Sequence, residues 1–154
     1  MMLNLCSRCW LLIILLTGIP LSSWAVDITL TQNSSVNYAQ ILPNTQSGGT
    51  VSLNTSSQRS SAAAYVFSNT ATAGSYTVHG DPNALVEVSF ENSAITGGGS
   101  AMTVQSFTTN WSNNQCTLNA SGQCTLLIGA NLTINANQVA GTYSGNVTII
   151  LNYV

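Results

Sequence analysis

From residue 26 onward, apolar side chains recur at every second position in short runs. Val26, Ile28 and Leu30 form one run, Val86, Val88 and Phe90 another, and Val147, Ile149, Leu151 and Tyr153 a third. A period of two puts such residues on one face of an extended strand. The residues between them are mostly Ser, Thr and Asn, numbering 17, 17 and 16 after residue 25. Ser and Asn disfavour helix because their side chains compete for backbone hydrogen bonds, and Thr suits strands through its branched Cβ. Gly and Asn clusters punctuate the runs, at Gly48-Gly49, Gly80-Asp81-Pro82-Asn83, Gly97-Gly98-Gly99 and Asn119-Ala120-Ser121-Gly122. Eight or nine short, evenly spaced strands are expected, among them Cys124 to Ile128, a separate segment at Leu132 and Ile134, and a last strand Asn146 to Val154. That pattern predicts an all-β fold, an antiparallel β-sandwich.

The first 25 residues read differently. Arg8 precedes an unbroken apolar run, Leu11 to Leu16, that Pro20 interrupts, and Ser23 and Ala25 place small residues before a cut after Ala25. This is the layout of a secretory signal peptide. The run is too short to cross about 30 Å of hydrocarbon. Residues 1–25 are therefore expected to be a signal peptide, with membrane contact only during export, and residues 26–154 a single β-sandwich domain. The expected location is the periplasm in transit, then the cell surface or medium.

Two cysteines follow the leader, Cys116 and Cys124. A close pair in an exported chain predicts one disulfide across a hairpin. Closing so short a loop stabilises by about 2.5 kcal/mol in the chain-entropy model.

Charge is scarce: two Arg, no Lys and four acidic residues in 154. No basic patch can form, so nucleic-acid binding is excluded as a partner class. Groups for proton transfer are equally few, which argues against an enzyme. Glu87 and Glu91, four apart on one strand, lie about 13 Å from each other at ~3.3 Å per residue. That is too far for a glycosidase pair, which needs about 5 to 9.5 Å. His79 and Asp81 flank a turn with no nucleophile at hand, and Asp81 with Asn83 falls short of the oxygens calcium requires. No catalytic residue, cofactor or metal is expected. Trp111, in Asn110-Trp111-Ser112, is the candidate ligand contact, as a platform for sugar stacking.

Four stretches carry a family resemblance: Val36 to Pro43 with Gly48 to Val51, Ala101 to Val104 with Phe107, Ile128 to Leu132, and Ala140 to Gly145 with the strand up to Tyr153. They are similar to a family of exported bacterial β proteins filed as domain of unknown function 4402, which has no activity to carry over. The ending also resembles subunits of chaperone–usher pili and the spore-coat protein U group, with Tyr153 penultimate and Gly141 fourteenth from the end. Those subunits are incomplete immunoglobulin-like sandwiches completed by a neighbour's N-terminal strand, so the resemblance implies an immunoglobulin-like form of the antiparallel β-sandwich here. The resemblance implies a structural subunit of a fimbria-like fibre or coat, assembled by β-strand addition. Its partners would be other copies or related subunits, and a periplasmic chaperone. Val26, Ile28 and Leu30 would supply a separable strand that fills the edge beside Val147, Ile149, Leu151 and Tyr153, either in its own subunit or in a neighbour. Two features depart from pilus subunits: the short N-terminal alternation and the late disulfide. The alternative is a self-contained sugar-binding adhesin that uses Trp111.

Overall fold

A computed structural model describes residues 26–42, 47–61 and 66–154. The signal-peptide reading of residues 1–25 lies outside them. Among the described residues the regular structure is all strand, and every pairing is antiparallel. Twelve strands run β1 (Thr29–Ser34), β2 (Gln40–Leu42), β3 (Gly49–Leu53), β4 (Arg59–Ser61), β5 (Val66–Ser68), β6 (Gly74–His79), β7 (Leu85–Phe90), β8 (Ser93–Ile95), β9 (Met102–Thr109), β10 (Gln115–Thr117), β11 (Gln123–Ile134) and β12 (Ile149–Tyr153).

The twelve-residue β11 organises the larger sheet. Along one edge it pairs first with β6 and then with β3, and its other edge pairs with β9. β1 extends this sheet beyond β6, β4 beyond β3, and β8 beyond β9. A second sheet has the order β10-β7-β12, and β2 pairs with β5 in a separate two-stranded layer.

Both sheets bury one face. Tyr76 and Val78 of β6 and Leu126 and Ile128 of β11 meet Val86 and Val88 of β7, with Leu118 and Trp111 closing the cluster. Ile149, Leu151 and Tyr153 of β12 pack against the same cluster. This is sandwich packing, in which alternate residues of two facing sheets interdigitate. A second cluster sits on the far half of the larger sheet: Val51, Met102, Val104, Ala130, Leu132 and Ile134, covered by Tyr38, Ile41, Phe67 and Tyr143. The stacked rings of Phe90 and Phe107, 4.8 Å apart, lie near the boundary of the two clusters.

Three sequence expectations change. The segments at Cys124 to Ile128 and at Leu132 and Ile134 are one strand, because Gly129 is simply part of β11. The last strand begins at Ile149 rather than Asn146. The disulfide between Cys116 and Cys124, with Cα atoms 6.8 Å apart, joins β10 of the smaller sheet to β11 of the larger. The turn at Asn119 is hairpin-like, but its two arms diverge into different sheets, so the bond ties the sandwich layers together.

Candidate functional site

Two strands end their sheets on the same side of the sandwich. Among the described residues β12 pairs only with β7, and β1 pairs only with β6. Leu30 and Gln32 of β1, with Val36 beyond it, form one lip of a groove. Gly145, Asn146, Val147 and Ile149, leading into β12, form the other, and Tyr76 also lines it. This part encloses about 540 Å³. It continues past Ser35, Val36, Gly145 and Val147 into a wider cleft of about 960 Å³. The cleft is lined by second-cluster side chains, Met102, Val104, Leu132 and Ile134, under the irregular segment Gln138 to Gly145. Among the described residues no lining residue of either part is Asp, Glu, Lys, Arg or His.

The lips are positioned by local hydrogen bonds. Asn37 exchanges two 2.8 Å backbone bonds with Thr72, pinning the segment after β1. Tyr38 donates its hydroxyl to the Ala130 carbonyl at 2.8 Å, and burial raises its pKa above the ordinary 10.0. Burial raises Tyr76 in the same direction. On the opposite lip, Thr96 and Ser144 exchange backbone bonds of 2.9 and 3.0 Å, and Tyr143 donates to the Val139 carbonyl at 2.8 Å.

Arg59, the single Arg or Lys among the described residues, fastens the β2–β5 layer beside the cleft. It donates to the carbonyls of Tyr38 (2.6 Å), Gln40 (3.2 Å) and Asn69 (2.6 Å), and its guanidinium sits 4.6 Å from the Phe67 ring centroid. Nothing in the sequence pattern marked Arg59. Its signal was that a chain so poor in charge keeps one cation in its domain.

The residues singled out from sequence divide into those the fold gathers and those it separates. Val147 and Ile149 line the groove, and Leu151 and Tyr153 continue the inward face of β12, while Ile150 is 38% exposed on the other. Ile28 and Leu30 pack on the first cluster, but their strand pairs with β6 in the opposite sheet, not beside β12. The expected adjacency survives only as side chains across the groove and as one hydrogen bond, from the Tyr153 hydroxyl to the Val26 carbonyl at 2.7 Å. Gly141 lies in the irregular segment, and a Cβ there would meet nothing nearer than 3.8 Å, so the backbone does not demand glycine. The tight position is Gly145, where a Cβ would come within 2.5 Å of the Ala94 carbonyl.

Trp111 is 8% exposed, and its indole N–H donates to the Thr125 carbonyl at 2.8 Å. The ring is a core anchor with its polar edge satisfied, which leaves no face for a sugar. Glu87 points outward from β7, and Glu91 follows the end of that strand. His79 ends β6 with its ring against the Gln123 amide, and the Asp81 carboxylate accepts the Val26 N–H at 3.0 Å.

Among the described residues these features define an all-β, sandwich-like protein with an inter-sheet disulfide and an uncharged groove between two unpaired strand edges. The chain belongs to the family described as Domain of unknown function (DUF4402), whose model matches residues 28–153. No curated protein and no solved structure matches it.

Proposed function

We propose that this chain is a non-enzymatic exported structural protein, a subunit of a fimbria-like fibre or surface coat assembled by β-strand addition. The observation that carries the reading is the edge of β12, unpaired among the described residues, opening onto an uncharged groove lined by Leu30, Val147 and Ile149. An open edge is a hazard for a secreted protein unless something covers it. A strand from another copy or a related subunit would pair with the β12 backbone while its alternate side chains enter the groove. Three such apolar side chains contribute several kcal/mol at about 25 cal/mol per Å². A chaperone in the periplasm would cover the same edge before assembly. The adhesin reading loses its platform with the burial of Trp111.

Val147→Asp tests this. Val147 lines both parts of the groove and precedes β12, outside the sheet ladders. A carboxylate there opposes strand entry with little effect on the fold. The expected result is wild-type protein in SDS-resistant multimers and a folded, monomeric variant. Wild type that stays monomeric at every concentration and with surface extracts would overturn the proposal, as would a variant that assembles normally.

A further inference from the structure

Val26 is held by two hydrogen bonds whose partners are themselves linked by a third. Its N–H donates to Asp81 Oδ1 at 3.0 Å, and its carbonyl accepts from the Tyr153 hydroxyl at 2.7 Å. That hydroxyl in turn accepts from the Asp81 backbone N–H at 2.8 Å. The turn after β6, the end of β12 and the approach to β1 thus converge on one residue. It is the residue that cutting after Ala25 would make the first of the chain.

We infer that Asp81 is a receptor for a free α-amine at Val26, so that removal of the leader converts a hydrogen bond from a neutral amide to the carboxylate into an ion pair that clamps β1. In the uncut chain the Val26 nitrogen is an amide with one hydrogen. Hydrolysis of the Ala25–Val26 peptide bond adds water across it: the leader takes the carboxylate, and Val26 keeps the nitrogen as an ammonium. The nitrogen need not move, and its bond to Asp81 becomes charge-assisted at both ends. Val26 is 52% exposed, so the additional N–H donors reach solvent and none is buried unpaired. A cut one residue earlier leaves an amide at position 26 and carries the charge about 3.3 Å away along an extended chain. The site therefore reads where the chain was cut.

No other cation in the domain competes for Asp81. Arg59 is engaged with the β2–β5 carbonyls. The remaining ionisable groups of the strands that meet here are Asp27, next along the chain, His79, turned to the Gln123 amide, the Tyr153 phenol, and Glu87, exposed on β7. The consequence reaches the groove, because Leu30 of β1 forms its lip. This inference rests on the export reading, since it needs the leader to be removed.

Three forms of the protein decide it: one released by protease to begin at Val26, one beginning at Ala25, and one with Val26 N-acetylated. Each is made with Asp81 and with Asp81→Asn, and near-UV circular dichroism checks the fold. Hydrogen exchange of the β1 amides should be about two- to five-fold slower in the Val26 form than in the other two, the effect of an exposed ion pair. Asp81→Asn should remove that difference. Titration of the α-amine by NMR should give a higher pKa with Asp81 than with Asn. Acetylation changes no side chain, so the comparison stands even where Asp81→Asn weakens the fold. Equal exchange in the Val26 and Ala25 forms, or an α-amine indifferent to Asp81→Asn, overturns the inference at Asp81. Mass spectrometry of the exported protein showing a first residue other than Val26 overturns it at its premise.

Discussion

Asparagine is how this chain turns. Of the eight non-glycine residues with positive φ among the described residues, five are Asn: 69, 83, 113, 114 and 137. Asn tolerates that region because its short amide bonds locally. Two turns are built alike. Asn54-Thr55-Ser56-Ser57-Gln58 and Asn119-Ala120-Ser121-Gly122-Gln123 each have an Asn Oδ1 that accepts from the N–H groups two and four residues on. Their fourth residues, Ser57 and Gly122, have φ of 62° and 71°. The second turn was legible in the sequence because it contains glycine, and the first was not because serine stands in that place. The two should respond differently to substitution. Gly122→Ala adds a Cβ at positive φ that would collide with the Gly80 carbonyl, so a loss of more than about 1 kcal/mol is expected in denaturant unfolding. Ser57→Gly relieves strain of about 1 kcal/mol but removes the hydroxyl that accepts the Ala73 N–H at 2.9 Å, so its net effect should be near zero. Tyr153→Phe strands the Val26 carbonyl and the Asp81 N–H, and should cost about 1 to 2 kcal/mol in the same measurement.

Strands with clean alternation, such as β7 with its buried Val86 and Val88, are readable without a structure. β4 and β8 are three-residue edge strands, Arg59-Ser60-Ser61 and Ser93-Ala94-Ile95, too short for any period to emerge. β11 looks like two strands because Gly129 interrupts its apolar series, yet Leu126, Ile128, Ala130, Leu132 and Ile134 are all buried. Pairing is harder still to read, since β1 could lie on β6 or beside β12 with the same residues turned inward. The β2–β5 layer depends on Arg59 for its attachment. Arg59→Met keeps the aliphatic stem but loses the bonds to three carbonyls, so amides of β2 and β5 should exchange at least ten-fold faster while those of β11 change little. Reducing the bond between Cys116 and Cys124 releases β10 from β11, and should lower stability by about 2.5 kcal/mol.

At the scale of the molecule, the sandwich is legible from the alternation, and its division into two apolar clusters is not. That division arises because β6 and β3 share one edge of β11, a matter of register that no single segment encodes. Buried phenols give the whole an alkaline limit. Burial raises Tyr38 and Tyr76 above 10.0, so the unfolded chain ionises at lower pH than the folded one. Their stabilising contribution is complete below about pH 10 and declines as pH rises above it. Unfolding midpoints should therefore fall above pH 10, and less steeply in Tyr38→Phe, which starts lower because the Ala130 carbonyl loses its donor.

β11 also sets a schedule. Chains are made from the N-terminus, and β3, β6 and β9 all precede the strand to which each of them pairs. Until β11 has been added, β6 and β3 lack their partner along that edge, and both clusters lack buried members, Leu126 and Ile128 in the first and Ala130, Leu132 and Ile134 in the second. For most of its synthesis the nascent chain offers alternating apolar runs with little to bury them, and folding then comes late and nearly at once. A polypeptide on that timetable spends its early life dependent on whatever holds it.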